Sequence, residues 1–444
     1  MPGVADVSQA ADDAVARLSE ATPQAPAGGR EKAKRSGARL AWLDALRGFA
    51  ALCVVFDHAG YHMLINERNF VYRWFDPGQY GVFVFFLVSG YIIPASLERK
   101  GSVRAFWISR AFRLFPLYAV ALVLSVIGAA NGIGNLSGAQ HHPATSAAAW
   151  LLMIPDILMQ NINVPNVAWT LSFEMVFYLL VAALYCWKVH KPSGGYALAF
   201  GAGAVVVGGV LPISGIYDLV NDHAGQAGLR LLPIVADVLI LGGLVLSAVY
   251  SRKGGTVYLT GKIGATVAAA TALILLLFNE YYPFSFSGCV ILALMFTGTV
   301  IYRAEQGETS KAKAWASCGA VFALTMAAGL WHGDHMGTAF EWQWGSTLVA
   351  AAVTFGVGML LRKHSFPGWL AWLGLVSYSV YLLHPLVLSV YSHYARQVTA
   401  GDGVQGFIFA GLVAIILVVS AVSFYCVEKP MQKAGRRLTA RLGG

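Results

Sequence analysis

Charge is scarce in this chain. Asp, Glu, Lys and Arg make up 12% of its 444 residues, about half the share usual in a soluble globular protein, while 57% of the residues are hydrophobic. So little charge cannot cover a soluble surface, and the composition indicates an all-α, polytopic integral membrane helix bundle. Cysteine is scarce too. All five (Cys53, Cys186, Cys289, Cys318 and Cys426) fall inside or at the ends of apolar runs, with no C-x-x-C spacing. That excludes a disulfide framework and a thiol redox motif, and leaves them as small buried hydrophobes. No repeat relates the two halves, as a secondary transporter would often show. Metal-ligand spacing is incomplete as well: His58 and His62 stand one turn apart, and His141, His142 and "HGDH" (His332 to His335) could face them, but no zinc pattern closes and no metal is expected. The net charge of +9 would suggest nucleic acid in a soluble chain. Here the basic residues punctuate apolar runs, the pattern of orientation by cytosolic Lys and Arg, so nucleic acid is excluded as a partner.

What is present is a succession of apolar runs. Spans are expected near 41–63, 80–98, 107–129, 169–189, 196–214, 229–251, 257–278, 285–302, 315–331, 343–362, 371–395 and 405–428, each near the length that crosses a hydrocarbon core about 30 Å thick. The run 147–160, "SAAAWLLMIPDILM", is too short and interrupted to cross and is read as re-entrant or interfacial. Residues 1–39, polar and ending in the patch Arg30, Lys32, Lys34, Arg35 and Arg39, are expected to be a disordered cytosolic tail. The membrane domain then occupies 40–430, and 431–444 form a basic cytosolic tail. With the amino terminus inside, only Arg68, Arg73, Arg230 and Arg396 among the loop cations fall outside. Both termini are therefore expected in the cytosol.

Against this apolar background the ionisable residues stand out. "LDALRGFAALCVVFDH", Leu43 to His58, places Arg47 and His58 eleven residues apart, which on a helix returns to within about 20° of the same face, roughly 16 Å further along. Asp44, three residues before Arg47, is spaced to pair with it. Charged residues within a membrane normally face protein or water, so Arg47 and His58 are expected to share one groove. "FFLVSGY" carries Ser89 and Gly90, a small surface that admits a close neighbour or a ligand. In "FWISRAFRLFPLY", Arg110 and Arg113 form a fork suited to phosphate oxygens. "WTLSFEMVFY" supplies Trp169, Glu174 and Tyr178, and "SYSVYLLH" sets Ser377, Tyr381 and His384 on one face, with Pro385 behind. A proton or substrate relay in a secondary transporter would also use Arg47, His58 and Glu174. The fork at a cytosolic mouth has no obvious use there.

These five fragments, in this order, resemble the acyltransferase 3 family of bacterial membrane O-acyltransferases over about residues 40–430. The resemblance implies about ten core spans, where the apolar runs give twelve, in a bacterial inner membrane, with transfer of an acyl group from acyl-CoA, commonly acetyl-CoA, to a hydroxyl of a surface polysaccharide, lipopolysaccharide or glycosylated metabolite. It implies that Arg47 and His58 are the essential pair and that Arg110 and Arg113 meet the CoA. The chemistry agrees: imidazole is the base best poised to take a hydroxyl proton near neutrality, which makes His58 the expected general base and His384 its rival. Arg47 and Glu174 are the other expected catalytic residues. Ser89 joins the CoA side, and Asp44, Trp169, Tyr178, Tyr381 and His384 are the expected acceptor contacts.

Overall fold

The computed structural model describes residues 27–136, 143–154, 165–206, 208, 210, 233–250, 255–278, 286–333, 336–395 and 402–442. Helices joined by turns, bends and short irregular segments account for these residues, with no strand among them. Nine helices among the described residues are long and apolar enough to cross a membrane, so the chain is a multi-pass membrane protein. Helix α1 (Ala27–Met63) is not one of the nine, because Asp44, Arg47, Asp57 and His58 interrupt its apolar run. It leads through α2 (Ile65–Tyr72) to α3 (Pro77–Lys100) and α4 (Val103–Ala130).

Each of the twelve expected runs holds a helix; in two of them the described helical residues are Ser193–Val206 (α7, 14 residues) and Pro233–Ala248 (α8), and the rest of those two runs lies largely outside the described residues. The 147–160 run contributes to α5 (Pro143–Leu151), too short to cross, and residues 155–164 lie outside the described set. Helix α1 begins within the stretch expected as a tail, of which residues 1–26 are not described. The remaining helices are α6 (Trp169–Cys186), α9 (Thr256–Phe278), α10 (Ser287–Glu305), α11 (Lys311–His332), α12 (Thr338–Leu361), α13 (Gly368–Ala395) and α14 (Asp402–Ser423). A π-helical turn, Phe424–Glu428, joins α14 to α15 (Lys429–Arg441).

Local chemistry sets several boundaries. Asp76 caps α3 by accepting the Gln79 N–H at 2.8 Å, with Pro77 in the first turn. Gly101, at φ 68°, ends that helix in the left-handed conformation, and Ser102 caps α4 by accepting the Ala105 N–H. Helices α3, α6 and α10 are mostly buried and form the centre, while α4, α11, α12 and α14 expose much of their apolar surface.

Two close crossings position the interior. A β-carbon on Gly90 would overlap the Met295 carbonyl, and one on Gly298 would overlap that of Leu87, so α3 and α10 meet backbone to backbone. Thr299 reinforces the crossing by donating to the Gly90 carbonyl at 2.8 Å. In the same way a β-carbon on Gly374 would overlap the Asp44 carbonyl, which holds α13 against α1. Without a hydrophobic drive between helices in lipid, such contact is what associates them. Replacing Gly90 with alanine is expected to cost about 1–3 kcal/mol through overpacking, seen as a lowered apparent Tm of the purified protein in detergent.

At the end of the bundle where α3 finishes, Arg303 is buried and fully engaged. It donates to Glu98 and Glu308, both at 2.6 Å, to Ser193 at 2.7 Å and to the His190 carbonyl at 2.8 Å. This ties α3, α7 and the α10–α11 turn together.

Candidate active site

A cavity of about 380 Å³ opens at the end of the bundle where α3 stops and α4 starts, lined by Asp44, Arg47, Arg99, Lys100, Arg110, Arg113 and, from α15, Arg436. Six cations and one carboxylate give it a strongly positive wall. Packing α15 on α4 brings Arg436 there, with Gly435 seated against Phe112. Arg110 is buried, with its guanidinium 5.4 Å from the centre of the Phe106 ring and 5.3 Å from that of Tyr178. Its Nε has no hydrogen-bond partner among the described residues, a costly state for a buried donor.

Arg47, Ile92, Arg110 and Arg113 also line a narrower interior chamber of about 50 Å³, whose other walls include Ser89, Phe85, Thr170, Glu174 and Tyr381. The positive mouth and the chamber therefore adjoin, with these four side chains as their common wall. Tyr178 donates its hydroxyl to Glu174 at 2.5 Å, fixing that carboxylate from behind. Arg47 feels the fields of Asp44, Glu174 and Arg113, and Glu428, from the π-helical turn, adds a carboxylate within electrostatic reach of Arg47 and Arg113. Ser379 donates to Glu428 and holds it in place. Thr170 donates to the Tyr381 hydroxyl at 2.9 Å.

His58 lies elsewhere, on the wall of a cavity of about 520 Å³ at the opposite end, with Tyr61, His62, Arg68, Ser389 and Ser392. The single groove expected for Arg47 and His58 is thus two cavities. A file of rings divides them: the Arg47 guanidinium sits 5.7 Å from the Phe85 ring centre, Phe85 is 5.7 Å from Tyr381, Tyr381 is 6.0 Å from His384, and His384 stacks on His58 at 5.0 Å. The separation follows from helix geometry, because eleven residues of one helix span more than a small chamber can.

The two histidines expected as rivals are partners. His58 Nδ1 and His384 Nε2 are 2.8 Å apart. His384 Nδ1 lies 3.0 Å from the Val380 carbonyl and also bonds the Tyr381 carbonyl, which Pro385, lacking an N–H, leaves open. Carbonyls only accept, so His384 Nδ1 carries the proton and its Nε2 must accept from His58 Nδ1–H. The remaining nitrogen of His58, Nε2, then keeps its lone pair. Beside it, Asp57 accepts from Arg68 Nε at 3.1 Å, and the Arg68 guanidinium rests 3.8 Å from the Tyr72 ring centre. A rigid cation therefore faces the same cavity.

Among the expected site residues, Arg47, Ser89, Arg110, Arg113, Glu174 and Tyr381 come together around the chamber, and Asp44 joins at its mouth. Trp169 instead packs edge-on to Phe173, and Tyr178 stands behind Glu174 and Arg110, so neither forms a cavity wall. Glu174 is on the Arg47 side of the ring file and does not orient His58. His384 does. Asp57, Arg68, Glu428 and Arg436 were missed; only the first had a signal, its place directly before His58. Of the histidine-rich alternative, His141, His142 and His335 lie outside the described residues, and His332 bonds the Val205 carbonyl. Among the described residues no group of three potential metal ligands gathers.

The bundle thus carries a basic mouth at one end and a hydrogen-bonded histidine pair at the other. The chain belongs to the acyltransferase 3 family, whose acyltransferase domain matches residues 40–426. It is 25% identical over 393 residues to the exopolysaccharide production protein ExoZ of Rhizobium meliloti (strain 1021), covering 86% of this chain and 99% of that protein. It is 30% identical over 176 residues to nodulation protein 10 of Rhizobium leguminosarum bv. viciae and over 162 residues to the acyltransferase MdmB of Streptomyces mycarofaciens. These two matches cover 36% and 33% of the chain, and only 48% and 39% of the relatives. No solved structure matches.

Proposed function

We propose that this protein transfers an acyl group, acetyl in the simplest case, from acyl-CoA to a hydroxyl of a carbohydrate acceptor at a bacterial inner membrane. The observation that carries this reading is the His58–His384 hydrogen bond at a cavity at one end of the bundle, with Arg47, Arg110, Arg113 and Arg436 gathered at the other. The names of the relatives support it: acyltransferase for MdmB and exopolysaccharide production for ExoZ.

The CoA phosphates rest on Arg110, Arg113 and Arg436 at the basic mouth, where guanidiniums match phosphate oxygens in pairs. Arg110 is largely buried, so the more open Arg113 and Arg436 carry most of this contact. The pantetheine arm enters the chamber past Arg47 and Ser89, and the packed rings of Phe85 and Tyr381, 5.7 Å apart, must part for the thioester to reach the histidines. The acceptor enters the cavity lined by His58. His58 Nε2 takes the hydroxyl proton as the oxygen bonds to the thioester carbonyl carbon. The C–S bond then breaks, and the proton on Nε2 passes to the departing sulfur, so that the ester and free CoA leave and His58 regains its lone pair. His384 keeps the imidazole in the required tautomer and shares the transient positive charge, the part a carboxylate plays in a serine hydrolase triad.

The test is to incubate the purified full-length chain in nanodiscs with radiolabelled acetyl-CoA, and to compare surface glycans and secreted glycosides of cells with and without the gene by mass spectrometry. An acyl group missing from one glycan, together with acceptor-dependent label transfer in vitro, is the expected result. Identical glycan masses and no CoA release would overturn the proposal.

A further inference from the structure

The cavity lined by His58 is charged with one sign. Its described walls include a permanent cation, Arg68, and the histidines His62 and His393, but no carboxylate. The carboxylates nearby are enclosed on the α3 side instead. Asp57 is 5% exposed, and a β-carbon on Gly78 would stand 2.6 Å from its Oδ2, so the start of α3 closes over it. Asp76 accepts from the Gln79 N–H and the Tyr72 hydroxyl. Arg68 reaches the cavity from α2, with its stem against Gly60, two residues after His58, where a β-carbon would meet Arg68 Cβ at 3.8 Å. Its guanidinium is held by what surrounds it: Nε donates to Asp57 at 3.1 Å, and the Tyr72 and Tyr61 ring centres stand 3.8 and 5.2 Å from Cζ. Among the described residues Nη1 and Nη2 make no hydrogen bond.

We infer that the acceptor saccharide carries an anionic group, a carboxylate or a phosphate, which Arg68 holds while the reacting hydroxyl lies at His58 Nε2. The inference rests on the acyl-transfer reading above and names the acceptor's charge within it. A guanidinium whose side nitrogen is already tied offers its end-on pair, Nη1 and Nη2, and that pair matches two oxygens of one carboxylate or phosphate. Asp57 and Tyr72 hold the fork in place beforehand, so little side-chain freedom is left to lose on binding. Serving as the counter-ion of Asp57 occupies only Nε. The donor's phosphates do not claim this cation either, because the arginines assigned to them stand at the other end of the bundle, beyond the ring file. An anchor distant from the reacting carbonyl acts alike in the ground state and the transition state, so an anionic acceptor is expected to differ from a neutral one in KM far more than in kcat.

The experiment titrates the full-length chain, in phosphatidylcholine nanodiscs and without acyl-CoA, with methyl β-glucoside, methyl β-glucuronide and glucose 6-phosphate, reading occupancy by saturation-transfer NMR. One or both anionic sugars are expected to bind about tenfold more tightly than the neutral glucoside, and the one that does identifies the anion. Arg68→Leu is expected to remove most of this preference, and Arg68→Lys to keep part of it, with the charge but not the fork. Equal affinity for all the sugars in the unmodified chain, or saturation by none of them, would overturn the inference. That comparison decides the matter even where Arg68→Leu fails to fold. A loss in Arg68→Leu that is equal for neutral and anionic sugars would overturn it too, since removing the counter-ion of Asp57 alone would do the same. Because the titration needs neither donor nor turnover, anion-selective binding by a chain that transfers no acetyl group would sink the acyl-transfer reading, while an active chain without preference for the anions would sink only this one.

Discussion

Replacing His58 with alanine is expected to lower kcat for acyl transfer by about 10²–10⁴-fold, the range a positioned general base contributes. His384→Leu is expected to cost nearly as much, although His384 itself never takes the acceptor proton. The reason lies in the hydrogen-bond chain. The Val380 carbonyl fixes the proton on His384 Nδ1, which leaves Nε2 as the acceptor for His58 Nδ1–H at 2.8 Å. Leucine fills similar space but offers no acceptor, so the His58 ring can turn or take the other tautomer and lose the lone pair at Nε2. His384→Gln is expected to retain more activity than His384→Leu, because its amide oxygen can accept the same proton. A purely structural role for His384 predicts the reverse or no difference between the two. The double variant His58→Ala/His384→Leu is expected to be no worse than the weaker single, as holds for groups that act as one unit. Multiplicative losses, with kcat and KM measured at matched expression, would separate the two histidines and return His384 to the standing of an independent base.

The order of the helices was legible in the sequence because apolar runs about twenty residues long have few alternatives in lipid. The chamber was legible through its charges: Arg47, Arg110, Arg113 and Glu174 are costly in an apolar surrounding, and cost is visible in composition. Partnership was not. Helical spacing relates residues on one helix, so it placed Asp44 with Arg47, but it carries no information on which face of α13 meets α1. That meeting depends on the absence of a side chain at Gly374, opposite the Asp44 carbonyl, and it is what turns two candidate bases into a hydrogen-bonded pair. Glu428 was hidden for a related reason. It stands at the polar end of the last apolar run, where a glutamate is ordinary, and only the π-helical turn directs it toward Ser379 and the arginines.

Arg113→Ala is expected to raise the KM for acetyl-CoA by about 10- to 100-fold, the equivalent of losing charged hydrogen bonds worth roughly 1.5–3 kcal/mol. Its kcat is expected to change little, because the phosphates lie far from the reacting carbonyl and bind ground state and transition state alike. Arg113 is a better probe than Arg110, whose burial between Phe106 and Tyr178 makes its removal a packing defect as well. Arg113→Lys is expected to fall between, since it keeps the charge and loses the planar fork. Acetyl-pantetheine, which carries the thioester and the arm but no nucleotide phosphates, supplies the control: its KM is expected to be the same in Arg113→Ala and the unmodified chain. An equal rise for both donors would move Arg113 from the phosphates to the thioester end of the chamber. Arg436→Ala is expected to show the same selectivity with a smaller effect, because a cation at the open mouth works against solvent screening. Its failure to do so would separate α15 from donor binding while leaving the Arg110–Arg113 fork in place.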